Sequence, residues 1–134
     1  RSYFQDIIFH RRYTDEIFAK WTGNQVASEP PTVLLAPMAS GSAVIADSTL
    51  VDDIAVQHRE VIGIEMEAYG LFASAETSFD IKPKPIVIKA VSDFANSKKN
   101  DDWKPYAAFT AAEFFFAALT DYTHLASQQR SDYI

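Results

Sequence analysis

The sequence predicts an α/β fold built on a parallel or mixed sheet that is covered by helices on both faces. Short apolar runs alternate with helical patterns along the 134 residues. These apolar runs are unbroken, which is typical of strands buried on both faces of a sheet. Polar clusters follow three of the predicted strands, and ligands of such sheets bind beyond the carboxyl ends of the strands. The pattern therefore predicts a site at one rim of the sheet.

The first third of the chain predicts a helix, a linker and a strand. Large apolar side chains recur at roughly helical spacing over residues 2–21. Residues 23–32 are polar and contain two prolines, which indicates a linker. The apolar run 33–38 predicts a buried strand, and it leads into the small polar residues 40–42. Asp47 or Ser48 can then cap a helix that runs to about His58.

The rest of the chain repeats this alternation twice. Residues 61–64 predict a buried strand that runs directly into Glu65, Met66 and Glu67, and a helix is predicted from there to about Phe79. Gly70 lowers the helix propensity by about 1 kcal/mol, which close packing against a neighbour could offset. Residues 86–91 predict a strand that stops at Ser92 and Asp93. Pro105 is expected to begin a helix that ends near Tyr122.

These elements predict one partial domain over residues 1–134. Its expected parts are an N-terminal helix (1–22), a linker (23–32), an α/β core (33–122) and a polar tail (123–134). The chain starts with Arg1, inside an expected helix. We therefore expect an N-terminal remainder that belongs to a larger protein.

Composition argues against several classes of function. The net charge of −6 argues against a nucleic-acid partner, although a few local cations suffice to bind a small phosphate. No apolar run approaches the ~20 residues that cross a bilayer, so no membrane association is expected. The absence of cysteine removes disulfides and thiolate metal sites and fits a cytoplasmic protein. The three histidines show no metal-ligand spacing, and no metal or organic cofactor is expected.

The acidic pair Glu65 and Glu67 flanks Met66 at a strand-to-helix junction. One interpretation is that both carboxylates are solvated and favoured by the helix dipole. The other is that they accept hydrogen bonds from the hydroxyls of a ribose, since ionised acceptors make strong hydrogen bonds. Their negative charge would also favour the positive charge that develops on a sugar as its glycosidic bond breaks. Met66 could lie against the sugar, although it also suits core packing.

Asp93 follows an apolar run, and desolvation raises the pKa of a carboxyl group. An Asp that stays protonated can donate to N7 of a departing purine, which is general-acid catalysis worth ~10²–10⁴-fold. The alternative is an Asp that closes a loop by bonding to its own backbone. Spacing alone leaves both open.

Three ordered motifs carry a resemblance: residues 40–47 (SGSAVIAD), 63–75 (GIEMEAYGLFASA) and 87–96 (VIKAVSDFAN). Together they resemble the superfamily of purine nucleoside phosphorylases and methylthioadenosine/S-adenosylhomocysteine nucleosidases. Residues 92–112 are similar to the branch found as effector domains of multidomain defence proteins, which is associated with nucleosidase action on adenine nucleosides and nucleotides, including ATP. The resemblance implies the C-terminal part of a three-layer α/β/α fold with a mixed, mostly parallel sheet.

The resemblance also implies roles for single residues. Asp93 matches the acid that protonates purine N7, with Ser92 beside the base. Glu67 matches the carboxylate that holds the ribose hydroxyls, and Glu65 and Met66 complete that wall. Val44 stands where the nucleosidases usually have a Phe beside the base. Asn96 stands where hexameric phosphorylases have an Arg. The absence of that Arg favours water over inorganic phosphate as the co-substrate.

The family's Gly-rich phosphate loop and its water-activating acid find no match in this segment. Lys98 and Lys99 are candidate phosphate contacts, although such a run also suits a solvated loop. The four Phe residues of the last helix cannot all share one face, which indicates an interface in a homo-oligomer or with a missing half: Phe109, Phe114, Phe115 and Phe116. Two alternatives to a purine nucleosidase remain: a phosphate-dependent phosphorylase, and a non-catalytic module for nucleotide sensing or oligomerisation.

Overall fold

The computed structural model describes residues 12–24, 27–41, 53–54, 56–94 and 101–131, with side chains described from residue 13 to residue 122. Most of the predicted helix before His58 lies outside these ranges, although residues 53–54 and 56–57 are helical as predicted. Five predicted site or loop residues also lie outside them: Ser42, Val44, Asn96, Lys98 and Lys99. The chain divides into two compact units, Arg1–Leu35 with Asp102–Ile134 and Ala36–Asp101.

Helices α1 (Arg12–Lys20) and α3 (Lys104–Ser131) belong to the first unit. They pack through a small core of Ile17, Ala107, Phe114 and Ala118, all buried. Trp21 extends the contact, with its ring 5.3 Å from that of Tyr106 and 5.1 Å from that of Phe109. The Trp21 ring lies so close to Gly23 that any side chain at that position would collide with it. At the edge, Lys20 Nζ donates to Glu113 at 2.8 Å.

Helix α3 is longer than its predicted extent. The sequence predicts its end near Tyr122, because residues 123–134 are more polar, whereas the helix continues to Ser131. Polar residues such as Gln and Arg are good helix formers, so their polarity does not end a helix that has already begun.

The second unit contains a two-stranded parallel sheet and a helix. Strands β1 (Met38–Ser40) and β2 (Gly63–Glu65) pair in the register Met38↔Gly63, Ala39↔Ile64 and Ser40↔Glu65. Hydrogen bonds from Ile62 N–H to Pro37 and from Gly41 N–H to Glu65 extend the ladder at both ends, each at 3.1 Å. Helix α2 (Ala68–Glu76) follows β2 after two residues. The predicted α/β class with a parallel sheet is confirmed. The three-layer phosphorylase arrangement stays a prediction.

Residues 81–94 run through the second unit as neither helix nor strand. The prediction of a strand over 86–91 is therefore wrong for this structure. A strand requires a hydrogen-bonded neighbour, and apolar composition alone cannot supply one. Within the described ranges, no helix combines the length and apolarity that a bilayer span requires.

Gly70 lies inside α2, and a Cβ atom placed on it would meet no described atom within 4 Å apart from its chain neighbours and the backbone of its own helix. The close packing that could offset the propensity loss is thus absent from the described residues. We expect Gly70→Ala to stabilise the protein by about 1 kcal/mol, because alanine restricts the unfolded chain and favours the helix. Urea unfolding would measure the change. Ala73→Gly in the same helix is the matched control and should destabilise by a similar amount. A destabilising Gly70→Ala would contradict the open surroundings of Gly70.

Candidate functional site

The start of α2 is held by side chains from both strands. Four N–H groups at the start of any helix lack partners within the helix. Oε2 of Glu65 accepts hydrogen bonds from the N–H groups of Glu67 at 2.9 Å and Ala68 at 2.8 Å. The Ser40 hydroxyl accepts one from the N–H of Tyr69 at 2.9 Å. Two side chains from the ends of β1 and β2 therefore satisfy three of these donors.

Glu65 is buried, with 7% of its surface exposed. Burial by itself would raise the pKa of its carboxyl group, but the Ser40 hydroxyl, the N–H groups of Ala68 and Glu67 and the charge of Lys89 together outweigh burial. They lower the pKa of Glu65 to about 2 from its ordinary value of 4.5. Oε1 of the same carboxylate is buried and has no hydrogen-bond partner of good geometry among the described residues. One oxygen of Glu65 is thus used by the backbone, and the other is buried from solvent.

Glu67 differs from Glu65 in its surroundings. Its side chain is 72% exposed, and its Oε2 pairs with the ammonium group of Lys89. Lys89 Nζ also lies 3.5 Å from Oε2 of Glu65. The hydrogen bond to Glu67 raises the pKa of Lys89, which keeps the ammonium charged. Two carboxylates and one ammonium leave this cluster with one uncompensated negative charge.

The interpretation that both acidic residues are solvated fails for Glu65, because that carboxylate is buried and caps a helix. Glu67 does have the solvent exposure that this interpretation assumes. Met66, between them, is 40% exposed and lies at the surface rather than in the core.

Ser92 and Asp93 lie at the end of the segment that carries Lys89, and they follow it by three and four residues. Both side chains are half-buried. The Ser92 hydroxyl donates a hydrogen bond to Oδ2 of Asp93 at 3.2 Å. This donor restricts the orientation of the Asp93 carboxyl group.

Sequence reasoning misses the roles of two members of this site. It assigns Ser40 to a small polar cluster without a specific contact, and it counts Lys89 as part of an apolar run. A signal for Lys89 does exist in the sequence, since it is the one charged residue within 86–91. Its even spacing from Asp93 also places both residues on the same side of an extended chain. Within the described ranges, no group of three or more His, Asp or Glu side chains has the arrangement of a metal site.

Comparison with known proteins gives similarity to nucleosidases over part of the chain. The chain is 38% identical over 87 residues to a death domain-containing ATP nucleosidase of Amphimedon queenslandica, which covers 63% of this chain and 16% of that protein. It is 32% identical over 77 residues to the ATP nucleosidase Cap17 of Escherichia coli, covering 58% and 15%. It is also 28% identical over 89 residues to the uncharacterized protein y4jS of Sinorhizobium fredii, covering 66% and 22%.

The matched segments therefore span only 15% to 22% of the length of these relatives. No family model matches it, and no solved structure gives a significant match. The expected resemblance to effector-type nucleosidases is supported by the two relatives named ATP nucleosidases. The wider superfamily with the phosphorylases, and the role of each site residue, stay predictions.

The pKa of Glu65 predicts a loss of stability in acid. Because the folded-state pKa is lower than the ordinary value, the stabilisation is present above pH 4.5 and is lost as the pH falls towards 2. The expected loss is about 2 kcal/mol, less than the full shift would give, because solvent around Glu67 and Lys89 screens part of the charge interaction.

We expect Glu65→Gln to remove most of this pH dependence, as measured by urea unfolding between pH 6 and pH 2.5. Glu76→Gln, at an exposed carboxylate, is the control and should leave it intact. If the Glu65→Gln variant loses as much stability in acid as the unsubstituted protein, Glu65 is not the source of the pH dependence.

Proposed function

We propose that this chain carries the substrate-binding part of a nucleosidase that cleaves the N-glycosidic bond of an adenine nucleotide, with ATP as the leading candidate. The observation that carries the proposal is the arrangement at the start of α2, where a fixed buried carboxylate and an exposed one form a cluster with a net negative charge. Such a cluster suits ribose hydroxyls and a sugar that becomes positively charged. The names of the relatives supply the adenine nucleotide.

In the proposed reaction, Glu67 accepts hydrogen bonds from the ribose hydroxyls, and Glu65 and Met66 complete the wall of the ribose site. Asp93 donates a proton to N7 of the base, and the electron pair of the bond between C1′ and N9 passes to the departing adenine. Water adds to C1′ and gives up a proton to an acceptor that we do not assign. Ser92 orients Asp93 through its hydrogen bond.

The remaining assignments are extensions of the same proposal. Val44 and Asn96 would lie beside the base, and Lys98 and Lys99 would meet the phosphates. A homo-oligomer, a larger parent protein and a cytoplasmic location also stay proposals. The relatives' much greater length is consistent with a larger parent.

The test is to incubate the full-length protein with ATP, adenosine and methylthioadenosine, with and without inorganic phosphate, and to separate the products by chromatography. We expect free adenine and ribose 5′-triphosphate from ATP without added phosphate. If no base is released from any of these substrates, the proposal is refuted. A strict requirement for phosphate, with a sugar 1-phosphate as product, would instead establish a phosphorylase.

A further inference from the structure

Lys89 occupies a position for which the proposed function gives no role. Its Nζ pairs with Oε2 of Glu67 and lies 3.5 Å from Oε2 of Glu65, and its side chain is 32% exposed. Oε2 of Glu65 is itself held in place by hydrogen bonds from the N–H groups of Glu67 and Ala68. Lys89 therefore connects an exposed carboxylate to a point that the backbone holds in place.

We propose that Lys89 is a positioning residue, which holds the Glu67 carboxylate in one orientation for the ribose hydroxyls of the substrate. This inference rests on the proposed function, since it takes the ribose as the ligand of Glu67. An exposed Glu side chain loses rotamer freedom when it binds a ligand, and fixing it in advance reduces that loss. The pairing uses Oε2 of Glu67, so that ribose binding is assigned to its Oε1.

The charges around Lys89 agree with this role. Among the described residues, the charged groups facing it are the carboxylates of Glu65 and Glu67, and the neutral Ser40 hydroxyl lies against Glu65. With Lys89 charged, the cluster keeps one negative charge. Without it, two carboxylates would repel each other at the same helix start. Lys89 also belongs to the segment that carries Asp93, so it links the proposed ribose wall to the proposed acid.

The test compares Lys89→Met and Lys89→Arg with Lys82→Met, which breaks the exposed ion pair with Glu76 and is the matched control. Binding of ATP and of 2′,3′-dideoxy-ATP is measured by calorimetry in an Asp93→Asn background, in which turnover is expected to be about 10²–10⁴-fold slower. We expect Lys89→Met to weaken ATP binding about 10-fold and to leave dideoxy-ATP binding unchanged. Lys89→Arg should restore most of the ATP affinity. Equal losses for both nucleotides would overturn the proposal and indicate a phosphate contact or a structural role.

A second measurement keeps the inference separate from the proposed function. The carboxyl group of Glu65 is titrated by ¹³C NMR in the protein without ligand. We expect its pKa to rise in Lys89→Met and to return in Lys89→Arg, because the ammonium favours the ionised form. An unchanged titration in Lys89→Met would refute the inference, even in a protein that releases adenine. If the pKa of Glu65 shifts as expected but the protein binds neither nucleotide, the proposed function is refuted. The interactions of Lys89 with Glu65 and Glu67 would still be supported.

Discussion

Asp93→Asn is expected to lower the rate of adenine release by about 10²–10⁴-fold, because the amide cannot donate an acidic proton to N7 of the leaving base. The substitution keeps the size and shape of the side chain, and Ser92 can still donate to its remaining oxygen. The folded state should therefore be retained. Chromatography of the products gives the rate, and urea unfolding gives the stability.

Asp80→Asn is the matched control for this substitution, since Asp80 is an exposed residue of the same unit. It should change neither rate nor stability. If Asp93→Asn leaves the rate unchanged, Asp93 has no part in the mechanism. Retained nucleotide binding in a protein without any turnover would favour the non-catalytic sensing module.

Ile17→Ala is expected to destabilise the first unit by about 2–5 kcal/mol. Ile17 is only 2% exposed and lies where α1 packs on α3, so its truncation removes buried methyl groups and leaves a cavity. Chemical denaturation followed by circular dichroism would measure the loss. The effect is large because the described core of this unit contains few buried apolar side chains.

Leu119→Ala provides the comparison, because Leu119 lies on α3 and is 45% exposed. Its substitution should cost about 1 kcal/mol or less, since alanine also favours the helix. A loss as large as that of Ile17→Ala would show that the exposed side of α3 is covered in solution. An effect of Ile17→Ala below about 1 kcal/mol would contradict the packing of α1 on α3.

The sequence predicts the parts of the fold that depend on local pattern. The strand at 61–64 and the helix after it are found at Gly63–Glu65 and Ala68–Glu76. The prediction of a buried strand over 33–38 is wrong except at Met38, where the strand that pairs with β2 begins, and Leu34 and Leu35 are exposed. Strand pairing depends on a distant partner, and the pattern of one run does not fix it.

The site is less predictable from the sequence than the fold. Local pattern treats Glu65 and Glu67 as one acidic pair, yet one is buried under a helix and the other is exposed. Their difference arises from the pairing of Ser40 with Glu65 across the sheet, which involves residues far apart in the chain. The sequence does not predict the role of Lys89 for the same reason. Its contacts with Glu65 and Glu67 form only when segments distant in sequence come together.

The hydrogen bonds from the start of α2 to Ser40 and Glu65 make strand register and helix formation a single cooperative event. A slip of one residue in the three-pair register would pair Ser40 with Ile64 or Met66 instead of Glu65, and its hydroxyl would no longer be placed to accept from the N–H of Tyr69. The amides of Glu67, Ala68 and Tyr69 should therefore exchange with solvent hydrogen together with the amide of Gly41 in the sheet. Any nucleotide that binds at this helix start would slow the exchange of all four amides at once.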